Sequence, residues 1–177
     1  MSYCQIITFK DGLPDDSMEF GNAWGGAARI WTSLFDAYLK NPEIKYDSWM
    51  NNKGSTLWDL AKRPDIAMFE RAVHASTFDH AYIRKEHFVR FAADLRQFVR
   101  KYPAGERMDH LPQWADVISK SESEAIGFRG TSVAENPWYK WDEEKGESIP
   151  VPASEGFEVY DWIAETDLVA ENAERRL

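Results

Sequence analysis

Cysteine is nearly absent from this chain, since Cys4 is the only one among 177 residues. A lone cysteine forms no internal disulfide, so the sequence predicts a protein of the reducing, cytoplasmic compartment. Long apolar runs are missing too, and no basic segment followed by an apolar one stands at the N-terminus. We therefore expect neither a membrane span nor a signal peptide. The strand-like neighbours of Cys4 predict a small buried thiol rather than a nucleophile.

Signatures of nucleotide and metal binding are also missing. The chain contains neither a G-x-G-x-x-G pattern nor a P-loop, which indicates that it holds no cofactor, and it has no H-E-x-x-H pair. Its formal net charge of −9 disfavours non-specific binding to phosphate backbones. Direct nucleic-acid binding is therefore not expected, and the charge is suited either to plain solubility or to docking on a basic partner.

Tryptophan, by contrast, is abundant, with eight residues spread along the whole length. This spread indicates that the whole chain folds, with most of the indoles in the core and two or three on a binding surface. Charge is unevenly placed: residues 84–101 carry a net charge of +4, and residues 134–177 carry −8. In one interpretation, these two segments face each other or simply lie in contact with solvent. In the other, they form a bipolar functional surface, with one basic helix and one acidic flank.

Local patterns predict a single α+β domain over residues 1–177 that is mostly helical. A β-hairpin occupies residues 1–21, a helical region residues 22–120, and an acidic region of loops and short strands residues 121–177. We expect the short C-terminal strands to join the hairpin in a small antiparallel sheet. The clearest helix is predicted from Arg84 to Tyr102, because its aromatic and aliphatic residues recur at steps of three and four.

The segment Trp24-Gly25-Gly26 starts a second amphipathic helix, with Asn22 as a suitable N-cap. Two adjacent glycines in a helix each cost about 1 kcal/mol relative to alanine, so they indicate a close approach to the backbone. We interpret them as a packing device against the protein's own sheet or helices. The alternative is a ligand site, in which the free N–H groups of the first turn bind a phosphate or carboxylate.

Three histidines, His74, His80 and His87, lie within fourteen residues of sequence. Imidazole is a common metal ligand, so a metal site is chemically available there. Their spacing matches no familiar metal-binding arrangement, and exposed or capping histidines are the favoured interpretation.

The N-terminal segment carries a resemblance to known proteins. Its strand and turn, Phe9-Lys10-Asp11-Gly12-Leu13-Pro14, are followed by Asn-Ala-Trp-Gly-Gly-Ala-Ala-Arg-Ile-Trp at residues 22–31. This pattern resembles the N-terminus of small uncharacterised accessory proteins encoded by bacteriophages and prophages. The resemblance implies a cytoplasmic protein that acts inside an infected bacterium, where such proteins are often inhibitors of the anti-defence or anti-CRISPR type.

The leading hypothesis is therefore a non-enzymatic protein that binds and inhibits a host or defence protein with a basic surface. The expected contact residues combine aromatic rings with carboxylates and are Trp138, Tyr139, Trp141, Asp142, Glu143 and Glu144. Two alternatives stay open. One is a small enzyme or nucleotide-binding protein with its site at Gly25-Gly26 or at the three histidines, and the other is a phage structural component that forms homo-oligomers.

Overall fold

The N-terminal hairpin forms where a run of β-branched and aromatic residues is followed by the turn signal Asp11-Gly12. In the computed structural model, which describes residues 3–21, 26–39, 58–103, 110–129 and 136–174, strand β1 (Tyr3–Lys10) pairs with β2 (Leu13–Gly21). The connecting residues Asp11 and Gly12 both have positive φ, which is the geometry of a tight two-residue hairpin turn. The predicted hairpin is confirmed, and Cys4 is fully buried in it.

The hairpin forms one edge of a five-stranded sheet. The other three strands of this sheet are β3 (Ala81–Arg84), β4 (Ala125–Arg129) and β7 (Phe157–Glu158). The order across the sheet is β2-β1-β4-β3-β7. All neighbours are antiparallel except β3 and β7, which run parallel. Strands from the C-terminal region thus join the hairpin, and the single α+β domain expected from the sequence is what forms.

Five helices have described bounds, and most of them cover one face of the sheet. They are α1 (Gly26–Tyr38), α2 (Met68–Ala75), α3 (Phe88–Lys101), α4 (His110–Ile118) and α5 (Val159–Glu174). Among the described residues, no helix is both long and apolar enough to cross a lipid bilayer.

Helix α3 confirms the periodicity of the sequence but begins later than predicted. Its inward positions, including Phe91, Leu95 and Phe98, are fully buried. The prediction placed the start at Arg84, but residues Ala81–Arg84 pair with β4 and β7 as strand β3. Cross-strand pairing thus overrides local helix propensity at Arg84, and Lys85–His87 form a 3-10 turn before the α-helix begins.

The acidic C-terminal region differs more from expectation. Residues 157–163 were predicted to be loops and short strands because they are rich in aromatic and β-branched side chains. Instead, a 16-residue helix begins at Val159. The Glu158 carboxylate accepts hydrogen bonds from the backbone N–H groups of Tyr160 at 2.8 Å and Asp161 at 2.9 Å, and so satisfies two free donors of the first turn.

The sheet is buried on both faces by two separate apolar clusters. On β1, Cys4 and Ile6 face the helices and belong to the larger cluster. Ile7 and Phe9 face the opposite side, where Trp138 and Val151 pack on them. The second face of the sheet is thus closed by residues that flank a separate two-stranded hairpin, made of β5 (Tyr139–Asp142) and β6 (Glu147–Pro150).

Candidate functional site

Helix α2 carries three buried polar side chains, which is unusual for a helix of eight residues. Glu70 and His74 have no exposed surface, and Arg71 is 2% exposed. Buried charged groups are rarely tolerated unless they are paired. The surroundings of these three residues therefore distinguish structural groups from functional ones.

Glu70 is fully paired by residues of two neighbouring helices. Its Oε2 accepts a hydrogen bond from the Tyr38 hydroxyl at 2.8 Å, and its Oε1 accepts from Lys101 Nζ at 2.9 Å. The Tyr102 hydroxyl also donates to Oε1. Burial and the adjacent Glu70 carboxylate raise the pKa of Tyr102, which keeps this phenol a donor. Glu70 thus joins α1, α2 and α3.

Arg71 is paired equally well. Its Nε donates to the carbonyl oxygen of Ala61 at 2.8 Å, and its two terminal nitrogens donate to the Asp167 carboxylate at 2.7 and 3.1 Å. This bidentate pair is the strong geometry for arginine and carboxylate. It fastens α5 to α2.

His74, one turn further along, has no such partner. Neither of its ring nitrogens makes a hydrogen bond within the described part of the chain. Burial lowers its pKa from 6.5 to about 3, so the ring is neutral at physiological pH. It packs against aromatic rings, with centroids 5.1 Å from Phe78 and 6.3 Å from Trp58.

The Phe78 and Trp58 rings form one wall of a cavity that we call the tryptophan pocket. Its volume is about 510 Å³, within the range of about 300–1,000 Å³ typical of ligand sites. Among the described residues, four aromatic side chains line it together with three polar ones at the rim: Trp31, Trp58, Phe78, Trp162, Lys62, Thr77 and Asp79.

The aromatic rings of this pocket are held in fixed, steeply inclined orientations. Trp31 and Trp58 meet at 68°, Trp58 and Phe78 at 71°, and Phe78 and Trp162 at 81°. The Trp31 indole also donates a hydrogen bond to Thr77 Oγ1 at 2.8 Å, and Thr77 in turn donates to the His74 carbonyl. The pocket is therefore preformed in the folded chain.

The three histidines considered as metal ligands point to different places. His74 lies behind the tryptophan pocket, while the His80 ring packs against Trp138 at 5.5 Å. His87 Nδ1 lies 3.0 Å from the buried Glu158 carboxylate. Among the described residues, no three groups of the metal-binding type are placed to share an ion. The expectation that they are mainly exposed is wrong for His74, which is fully buried.

The sequence-predicted partner surface lies on the β5–β6 hairpin, which we call the acidic hairpin (residues 139–150). Tyr139 and Trp141 share one face of it, and they are 37% and 64% exposed. Glu143 and Glu144 are exposed at its turn, whereas the Asp142 carboxylate is used within the turn. Asp142 Oδ1 accepts the backbone N–H groups of Glu144 and Lys145 at 3.0 and 3.1 Å.

Trp138, which we expected beside these residues on the surface, is fully buried. Its ring meets Phe9 edge-on at 4.9 Å and lies over two glycines, Gly127 and Gly156. A Cβ added to Gly127 would stand 2.6 Å from the indole, so only glycine leaves room for the ring there. The expectation of an exposed Trp138 is therefore wrong, and the residue instead anchors the acidic hairpin to the sheet.

The first turn of α1 was the other predicted ligand site. Trp24 and Gly25 lie outside the described residues, and Gly26 is the first residue of the helix. The close-packing interpretation of Gly25-Gly26 and its ligand-binding alternative both stay predictions. Close packing on glycine does occur at Gly127 and Gly156, which the sequence did not single out.

The basic and acidic segments of the sequence meet in the structure. Arg84 Nη2 donates to Asp161 at 2.7 Å, and the Arg90 guanidinium lies 4.1 Å from the centroid of the Tyr160 ring. This favours the interpretation in which the segments partly neutralise each other. The acidic hairpin makes no ion pair with the basic segment 84–101 in the described structure.

Comparisons with protein-family models, with curated proteins and with solved structures found no match to this chain. The tryptophan pocket is the part that sequence reasoning missed, because its rings come from four distant positions. The abundance of tryptophan was the single signal that pointed to a binding surface.

Proposed function

We propose that this protein is a non-enzymatic inhibitor that docks the acidic hairpin on a basic surface of a host or defence protein. The exposure of Trp141 carries the proposal, because an indole 64% exposed on a hairpin that Trp138 anchors to the sheet can serve as a contact for a partner. The partner class rests on the resemblance of the N-terminal segment to phage accessory proteins.

The negative charge of the acidic hairpin and its attachment to the sheet support its role as the partner surface. The turn presents Glu143 and Glu144 beside Trp141, and the overall charge of −9 attracts a basic partner at long range. The ribbon is fastened at its base by Trp138 and by the hydrogen bond from the Val151 N–H to the Trp138 carbonyl at 2.9 Å. Little conformational entropy is therefore lost when it docks.

Affinity capture from bacterial lysate tests the proposal with matched variants. We expect a protein that binds the wild type and is lost with Trp141→Ala and, at moderate salt, with Glu143→Gln combined with Glu144→Gln. The controls are Val89→Ala, which removes a side chain 74% exposed elsewhere, and Asp15→Asn with Glu165→Gln, which neutralises two exposed carboxylates elsewhere. The proposal fails if the captured protein is retained by Trp141→Ala, or if no protein is captured.

A further inference from the structure

The tryptophan pocket is independent of the acidic hairpin, and its composition identifies a ligand class. Four of the seven described residues that line it are aromatic, and three of these are tryptophans, the side chain that attracts cations most strongly through its ring face. Trp58 is 37% exposed at the mouth of the pocket.

The charges at the rim favour a positive ligand. Asp79 is exposed and has neither a hydrogen-bond nor an ion-pair partner within the described residues. Lys62, also at the rim, is balanced by its own neighbour, since its Nζ lies 3.2 Å from Asp59 Oδ1. The rim thus presents one uncompensated carboxylate to a ligand in the pocket.

The wall behind the rings adds a second observation. His74 is a buried imidazole with two ring nitrogens that lack partners in the described part of the chain. Nearly all buried polar groups in folded proteins are paired, so an unpaired one calls for an explanation. The His74 ring lies behind the Trp58 and Phe78 rings that line the pocket, and because it is neutral it places no positive charge there that would repel a cation.

We propose that the tryptophan pocket binds an organic cation, an alkylammonium or guanidinium group that the rings surround and Asp79 neutralises. Two sources present this chemistry: a free small cation, and a lysine or arginine side chain of a protein. The ring orientations are already fixed, by edge-to-face packing and by the Trp31 to Thr77 hydrogen bond. Such a site binds without rearranging the fold.

The test is a titration of the full chain, followed by two-dimensional NMR of the indole N–H groups. The probes are choline and 3,3-dimethyl-1-butanol, which have nearly the same shape but differ in charge. We expect saturable shifts of the Trp31 and Trp162 indole signals with choline and at least tenfold weaker binding of the neutral alcohol. Equal binding of both compounds, or no binding of choline at millimolar concentration, overturns the proposal.

Variants show that binding occurs in this pocket. Asp79→Asn changes an exposed residue and should weaken choline binding about threefold to tenfold without lowering the melting temperature, in line with one partly screened charge contact. Trp162→Leu should abolish binding, while Trp141→Ala on the acidic hairpin should leave it unchanged. Retention of full affinity in both Asp79→Asn and Trp162→Leu would place any binding elsewhere and overturn the assignment.

A second arm distinguishes the two sources. A short peptide with one lysine, its trimethyllysine form and a glutamine form are competed against choline. Displacement by the lysine peptides but not by the glutamine peptide indicates a protein side chain as ligand, and displacement by none of them indicates a free cation. This outcome does not depend on the acidic hairpin, so the two proposals stand or fall separately.

Discussion

The two ends of helix α2 treat buried polar groups in opposite ways. At its N-terminal end, Glu70 and Arg71 have all their strong hydrogen-bonding capacity used by neighbouring helices. One turn later, His74 is equally buried and has no partner among the described residues. The first arrangement stabilises the fold, and the second lowers its stability beside an open aromatic cavity. The difference indicates which end of α2 is structural and which serves a ligand.

Removal of the Glu70 carboxylate breaks the structural end and should have the largest effect. Glu70→Ala leaves the Tyr38 and Tyr102 hydroxyls and the Lys101 ammonium without their acceptor. Breaking a buried charge network of this kind costs about 3–5 kcal/mol of unfolding free energy. Urea unfolding followed by circular dichroism measures it.

The control for this variant is Glu86→Ala, which removes a carboxylate 59% exposed that pairs with Arg84 at the surface. Its expected cost is below about 1 kcal/mol. Equal costs for the two variants would show that Glu70 is not the structural centre we infer.

Loss of the His74 imidazole, unlike loss of the Glu70 carboxylate, should not lower the free energy of unfolding at pH 7. The contribution of His74 to that free energy should also depend on pH. The folded pKa of about 3 lies below the unfolded value of 6.5, so only the unfolded chain takes up a proton between these limits. The free energy of unfolding is therefore highest above pH 6.5, where the ring is neutral in both states, and it falls as the pH drops towards 3. At up to about 1.4 kcal/mol per pH unit, the loss between pH 6.5 and 5 is about 2 kcal/mol.

His74→Leu should abolish this part of the pH dependence and should leave the protein at least as stable as the wild type at pH 7. Leucine has a similar volume and leaves no unpaired nitrogen, so the desolvation cost of about 1–3 kcal/mol disappears. Unfolding at pH 7 and pH 5 in both proteins checks this. A variant that is less stable than the wild type at both pH values would show that the imidazole has a partner in the fold.

The smallest expected effect on stability comes from the removal of a single hydrogen-bond donor to Glu70. Tyr102→Phe removes one of three donors and leaves the ring packing in place, so it should cost about 1 kcal/mol. Tyr82→Phe is the matched control, because the Tyr82 hydroxyl makes no hydrogen bond within the described residues. Thermal unfolding of both variants is sufficient, and a loss of similar size in the control would contradict the assignment.

Sequence patterns predicted the parts of this fold that depend on local order. The β-branched and aromatic composition of β1 and the steps of α3 are properties of neighbouring residues, and both elements formed. The helix from Val159 was missed because its residues favour strands, while its start depends on the Glu158 carboxylate capping the first turn. Side-chain propensity and local capping by the preceding residue opposed each other there, and capping prevailed.

The site depended on contacts between distant residues. Trp138 and Trp141 look alike in sequence, but Trp138 is buried because Gly127 and Gly156 leave space for its ring. The rings of the tryptophan pocket come from residues 31, 58, 78 and 162, and no spacing rule connects these positions. Abundant tryptophan predicted a binding surface but gave no indication of which indoles would meet.

The burial of Trp138 also limits how this molecule tolerates deletion. The indole covers Ile7 and Phe9, so excision of residues 136–152 would uncover an apolar patch on the middle of the sheet. Such a shortened chain would be prone to self-association, as exposed apolar faces of sheets are. The acidic hairpin therefore cannot be treated as a detachable appendage, and its contribution to binding is best tested by point substitution at Trp141.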